Sequence, residues 1–153
     1  MPQRWIDDER EIAGFLGRAK VGRLATCWDG QPYITPVAFV FQDGKLYFHS
    51  KPTGRKIGNL KANPQVCFEA DELERIHLGD SACSHSMRYT SVIAFGQARI
   101  VTDQTVKQRA LDWLITKYTG SEWTEHLSEK ELATVEVVEI TVEELTGKRN
   151  VDA

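Results

Sequence analysis

Several things are scarce in this chain of 153 residues, and each shortage narrows what it can be. It has three cysteines, Cys27, Cys67 and Cys83, too few and too scattered for a disulfide framework. No apolar run approaches the ~20 residues that a membrane-spanning helix requires. The start of the chain, Met1-Pro2-Gln3-Arg4-Trp5-Ile6, has no signal-peptide core. A reducing cytoplasm is therefore the expected setting. There is no excess of positive charge: the formal net charge is −3, which gives no bulk attraction to nucleic acid or to an anionic membrane. No aromatic ladder interleaved with basic residues supports nucleic-acid binding either. Neither GxxxxGK[ST] nor GxGxxG occurs, so a P-loop ATPase or a Rossmann dinucleotide enzyme is not expected. Internal repeats and low-complexity tracts are missing, leaving no linker at which to divide residues 1–153. One domain with a real core, and 143–153 as a polar tail, is the expectation.

What is present reads mainly as strands. Residues 7–18 carry a helical stripe of Ile12, Phe15 and Leu16. A meander then follows. Its strands are 21–28, 32–41 and 45–50, and its turns are Asp29-Gly30 and Asp43-Gly44. Pro36 lies within the second strand and marks an edge, a bulge or a strand end, because proline cannot donate a ladder hydrogen bond. A strand over 65–71, a long polar connection over 72–87 and a long strand over 88–102 come next, with Gly96 as a bulge. A helix capped by Thr102 or Asp103 runs to Tyr118 and stops at Gly120. Ser128-x-x-Glu131 has the form of a capping box, and 135–142 alternates as the last strand. The hairpins predict antiparallel β with packed helices, mainly β (α+β), in a closed or split barrel.

The chemistry concentrates in residues 45–66. A strand ending Phe48-His49-Ser50 enters a turn and then a short helix, with Thr53 as the expected N-cap and Asn63-Pro64 as the stop. Lys51, Arg55 and Lys56 crowd the helix start, where the free backbone N–H groups already make the potential positive. A bound anion resolves that conflict, and Gly54 lets it approach the backbone. Residues 50–56 are thus read as a phosphate cradle; a solvated basic turn is the alternative. His77, Asp80, Cys83 and His85 are metal-ligand types close in sequence, but their spacing fits no zinc pattern, and no metal is expected.

Three stretches carry a family resemblance. They are Leu46-Tyr47-Phe48-His49-Ser50 with Gly54-Arg55-Lys56-Ile57, the run from Tyr89 to Ile100, and Ile140 to Lys148. In this order they resemble the pyridoxamine 5′-phosphate oxidase-like FMN-binding split barrels, closest to the 5-nitroimidazole resistance branch, from about Lys20 to Lys148. The resemblance implies a six-stranded antiparallel split barrel with two to four flanking helices. It also implies a homodimer holding FMN at the subunit interface, and an oxidoreductase acting on a small-molecule substrate. Ile34, Thr35, Pro36 and Val37 would run beside the flavin ring. Phe48, His49, Ser50, Lys51, Thr53, Arg55 and Lys56 would face ring and phosphate. His49 matches the motif histidine near the flavin and is the candidate catalytic group. Met87, Arg88 and Tyr89, and with less weight Lys148 and Arg149, would reach the other subunit's cofactor. Pyridoxamine 5′-phosphate oxidase activity itself is not expected, since that enzyme's substrate-binding C-terminal region is lacking. The same resemblance admits a flavin or haem carrier or sensor, and a deazaflavin-dependent reductase.

Overall fold

Two Asp-Gly pairs organise the first half of the molecule. In the computed structural model, which describes residues 3–122 and 126–150, Asp29 and Gly30 have φ of 51° and 71°, and Asp43 and Gly44 have 51° and 75°. Positive φ at both central residues matches the twist of a two-residue hairpin. Each pair closes one hairpin between neighbouring strands.

The elements in chain order are β1 (Gln3–Ile6), α1 (Glu9–Arg18), β2 (Gly22–Trp28), β3 (Gln31–Val37), β4 (Val40–Gln42), β5 (Lys45–Ser50), α2 (Arg55–Ala62), β6 (Gln65–His77), β7 (Ser86–Ile100), α3 (Gln104–Thr119), α4 (Glu129–Leu132) and β8 (Glu136–Asn150). All pairings are antiparallel, in the order β3-β2-β6-β7-β8-β5-β4, with β1 added to β8. Strands β3 and β4 are the two ends of that path, yet only Ala38 and Phe39 join them. Three Cα–Cα steps span at most about 11 Å. The sheet must therefore roll until its edges nearly meet, and because β3 and β4 do not pair, the barrel stays split.

The expected second strand, 32–41, is thus two strands on opposite lips of the split. Phe39 fills the crossing: it is fully buried and packs edge-on against Phe68 at 4.7 Å between centroids. Its N–H, lost to the ladder there, donates to the Tyr118 hydroxyl at 2.9 Å. Pro36 sits near the end of an edge strand, as its missing donor requires.

Three further expectations change. The connection over 72–87 is mostly ladder: β6 runs to His77 and β7 starts at Ser86, forming a ribbon that projects past the core. Its side chains are largely exposed, so the apolar alternation that signals a strand is weak there. The tail from 143 is not a tail as far as Asn150, because β8 continues to pair with β7 and β1. Residues 151–153 lie outside the described residues. The six expected strands become eight through the division at Ala38-Phe39 and the addition of β1. Gly96 is the expected bulge, where a side chain would meet the Thr141 carbonyl oxygen.

The barrel interior holds Leu24, Phe48, Phe68, Val92 and Ile140, closed by Phe15 and Leu16 of α1 and by Ile57 and Leu60 of α2. A second apolar cluster lies between α3, α4 and the outer face of the β4-β5-β8 edge, including Tyr47, Leu111, Leu114 and Val137. Beside it Glu139, 2% exposed, accepts from Tyr47 Oη at 2.9 Å, Arg99 Nε at 2.8 Å and Lys45 Nζ at 3.1 Å. The helix ends follow local chemistry. Asp8 caps α1, Asp103 caps α3, Gly120 ends α3 at φ 75°, and Ser128 with Glu131 forms the capping box of α4. Among the described residues no helix is long and apolar enough to cross a membrane.

Candidate functional site

Alternation along β5 decides what each of its residues can touch. Leu46 and Phe48 point into the barrel core, while Tyr47 lies in the cluster under α3. His49 shares the face of Tyr47. It is exposed and borders an apolar hollow of about 330 Å³ with Ala38, Leu111, Leu114, Ile115 and Tyr118. Ser50 ends the strand. Lys51 and Thr53 are exposed in the following turn.

The turn delivers the chain to α2 through Gly54, at φ 115° and ψ 168°, a conformation that side-chain-bearing residues rarely adopt. Gly54, not Thr53, is the N-cap, and no side chain caps this helix start. Thr53 lies one residue too early for the cap geometry. The first turn of α2 holds no acidic residue; Arg55 and Lys56 open it. The Arg55 guanidinium lies 5.3 Å from the centre of the Tyr33 ring, and Lys56 Nζ lies 5.2 Å from that of Phe48. Burial pushes the Lys56 ammonium below its ordinary value. Among the described residues Lys51, Arg55 and Lys56 have no carboxylate partner. The helix start thus combines free N–H groups, two cations and no anion.

A cleft of about 600 Å³ runs from this point between α2 and the β2–β3 hairpin. One helix face, Arg55, Gly58, Asn59 and Ala62, forms one wall, and Trp28 and Tyr33 stand opposite. Asn59 is buried and donates to Thr26 Oγ1 at 3.0 Å, fastening the helix to β2.

On β3 the four expected ring-side residues divide between two faces. Val37 is in the core. Thr35 shares the inward parity, and its Oγ1 is buried without a hydrogen-bond partner. Ile34 and Pro36 face outward, Ile34 at 61% exposure. Ile34 begins an outward rung that continues through Ala25 and Cys67 to the half-exposed Phe95.

The structure therefore brings Lys56 to Phe48 and Arg55 to Tyr33 at the start of α2. It places His49 on the other face of β5, in a separate hollow. Arg88 stands apart from both, on the projecting ribbon, with Nε 2.9 Å from Glu74 Oε2. It is nine residues along β7 from Gln97, roughly 30 Å at the strand rise. The residues that the sequence reading omitted are Tyr33, Asn59 and Trp28; Tyr33 and Trp28 share a face only because β2 and β3 pair in that register. Of the His77–His85 group, His85 Nδ1 accepts from the Gly79 N–H at 2.9 Å at the ribbon tip. Among the described residues no three His, Cys, Asp or Glu side chains converge as metal ligands do.

Comparison with known proteins agrees with this architecture. A candidate 5-nitroimidazole antibiotic resistance protein from Bacteroides thetaiotaomicron superposes with a TM-score of 0.84 at 29% identity, covering 97% of this chain and 87% of that one. A FAD-binding protein from Mesorhizobium loti superposes with a TM-score of 0.72 at 28% identity, covering 99% and 100%. An uncharacterized protein of Rhizobium meliloti (strain 1021) is 37% identical over 67 residues, which is 44% of each chain. The chain thus spans less than half the length of that curated relative. Residues 8–149 match the family model for pyridoxamine 5′-phosphate oxidase, and the chain belongs to that family.

Proposed function

We propose that this protein is a flavin-dependent oxidoreductase of the pyridoxamine 5′-phosphate oxidase family that holds FMN by its phosphate at the start of α2. The observation that carries this reading is the unpaired pair Arg55 and Lys56 on a helix start capped only by Gly54. Such a constellation is unfavourable empty and favourable around a dianion. Arg55 presents a fork that matches two phosphate oxygens, and Lys56 a point charge desolvated against Phe48. Lys51 adds charge at the mouth, and the Ser50 and Thr53 hydroxyls are further donors within the same turn. The orphaned Thr35 Oγ1 supports the assignment of β3 as the ring-side strand, since a buried hydroxyl without a partner is uncommon in a finished site. The similar protein from Mesorhizobium loti is described as FAD-binding, which also favours a flavin.

A flavin held there by Arg55 and Lys56 would supply the redox chemistry, that is, hydride and electron exchange between a reduced nicotinamide donor and a small organic acceptor such as a nitroaromatic. The chain's own part is to position and to shield. Val37 and Phe48 are fixed in the core behind the ring-side strand and the cradle. His49 brings an imidazole to a largely apolar hollow separate from the cradle, so a role for it with the acceptor would require a flavin that reaches that hollow. The outward rung Ile34–Ala25–Cys67–Phe95, with Ile93 beside it, is an apolar strip suited to a second copy of the chain. Across such a homodimer Arg88 would approach the other subunit's cofactor. The free thiols of Cys27, Cys67 and Cys83 suit a cytoplasmic protein.

The test is a titration of the purified protein with FMN followed by oxidation of a reduced nicotinamide. A dissociation constant of about a micromolar or below is expected, with donor oxidation that depends on added FMN. Failure to bind FMN saturably would remove the reading. Tight binding without donor oxidation would leave a carrier.

A further inference from the structure

The ribbon formed by the ends of β6 and β7 has one apolar face, and that face is bare. Paired residues of a ladder share a face, so Leu73 with Tyr89 and Ile76 with Met87 point the same way. Leu73, Ile76 and Met87 are 51%, 57% and 54% exposed. The opposite face carries Glu72, Arg75 and His77. Leu73 and Ile76 lie an odd number of residues apart, which puts two residues of a regular strand on opposite faces. The bulge between Leu73 and Arg75 restores the match. The same face of β7 continues through Ser91 to Ile93 and Phe95, and so runs into the outward rung that ends at Phe95. Trp5, 64% exposed and opposite Lys148, widens it on the β1 side.

The area decides what the ribbon adds. The rung with Ile93 covers about 14 Å by 7 Å, or roughly 100 Å² of sheet. Each partner of a standard interface gives up about 800 Å². Continued to Met87 the strip is about 27 Å long, and with the strands beside it the face reaches roughly 500 Å² before side-chain relief is counted. Its charges are also self-complementary. Glu69 and Asp71 border β7 on the β6 side and share Arg23, which leaves that border negative; Lys148 borders it on the β8 side. A half-turn about the strip's long axis sets the acidic border of one copy on Lys148 of the other, and the reverse. Resting on the homodimer of the proposed function, we propose that the β6–β7 ribbon is a dimerisation arm whose apolar face packs on the same face of a second copy's ribbon. The arm, and not the barrel rung alone, then holds the two copies together. The bulge after Leu73 is part of the device, since without it Ile76 would turn to the polar face.

Sedimentation equilibrium of the full chain tests this, with Ile76→Lys and Met87→Glu made together. The two positions are directly opposite, so the new pair attracts across the ladder and keeps the ribbon while removing its apolar face. The unaltered protein is expected to dimerise with a dissociation constant of about a micromolar or below. Loss of one anchor at an interface costs about tenfold or more, and symmetry counts each change twice, so the double variant should dissociate at least about 100-fold more readily. Leu73→Ser, a milder change at the other end of the arm, should weaken the dimer at least about tenfold. His77→Gln, on the polar face, should leave it within about twofold. These side chains are exposed and the barrel core is untouched, so all three variants are expected to fold. An unaltered protein that stays monomeric overturns the proposal and leaves the face to some other partner. A double variant that dimerises as tightly as the unaltered chain also overturns it. So does equal weakening by His77→Gln, since the ribbon's shape and not its apolar face would then be at work. Titration of the same preparations with FMN separates the two readings: a dimer lost with the apolar face but indifferent to FMN supports the arm and removes the flavin.

Discussion

Replacing Arg55 by glutamine and Lys56 by methionine removes both charges from the α2 start while keeping most of each stem, including the stem that packs over Phe48. Two effects of opposite sign follow. Each charge-assisted contact to a phosphate contributes about 1.5–3 kcal/mol. Losing both should cost about 3–6 kcal/mol of flavin affinity, or roughly 10²- to 10⁴-fold in dissociation constant. Lys56, partly desolvated, should account for the larger share at moderate salt, because the exposed Arg55 is more strongly screened. The unliganded protein should respond the other way. Each cation at this helix start opposes the dipole by about 0.3–1 kcal/mol, so removing them should leave the apo protein as stable as before or up to about 2 kcal/mol more stable. For a chain of this size that is a rise in Tm of roughly 0–8 °C. Flavin binding should also weaken as pH rises past the depressed Lys56 value, and that limb should vanish in Lys56→Met alone. The assays are FMN fluorescence titration from pH 6 to about pH 10 and thermal melts without flavin. Unchanged FMN affinity in the double variant would refute the phosphate assignment. Loss of affinity together with an equal loss of apo stability would show that the two cations hold the fold and not a ligand.

Three other perturbations test the scaffold. Burial alone would raise the Glu139 carboxyl, but the hydrogen bonds from Arg99, Lys45 and Tyr47 together outweigh it and hold its pKa below the usual range. Its contribution is therefore complete above about pH 4.3, the unfolded value, and is lost as pH falls through the lower folded value. Glu139→Gln should cost about 3 kcal/mol at neutral pH and much less in strong acid, measured by urea melts; equal loss at both would be inconsistent with this account. The same variant should lower Tyr47, now pushed up to about 12 by burial and by Glu139, in a spectrophotometric titration. Gly96→Ala would drive a methyl into the Thr141 carbonyl oxygen, so a loss of about 2 kcal/mol or more is expected from denaturant curves. Asp103→Ala removes acceptors for the Thr105 and Val106 N–H groups and should cost about 1 kcal/mol, whereas Asp103→Asn should be nearly neutral.

Features set by neighbouring residues were legible in the sequence. Asp29-Gly30 and Asp43-Gly44 specify turns because few residues accept positive φ. Gly120 and the Ser128–Glu131 box end and begin helices through contacts within one turn. The cation cluster was legible for the same reason: Arg55 and Lys56 conflict with the helix dipole whatever the rest of the chain does. The cap residue was misplaced by one, since Thr53 and Gly54 are both plausible locally and only the path from β5 into α2 selects Gly54.

The remainder depended on partners distant in sequence. Residues 72–77 and 143–150 carry weak apolar alternation, and they become strands because β7 lies between them and satisfies their backbone groups. The division at Ala38-Phe39 arises from closing a rolled sheet, with Phe68 and Tyr118 holding the crossing. The groove over Trp28, Tyr33 and Gly58 exists only because a hairpin and a helix from different parts of the chain face each other. Charge, turns and the caps of α3 and α4 are short-range, and the sequence by itself determined them. Which faces meet, and so which side chains share a cavity, is long-range, and only the tertiary structure decided it.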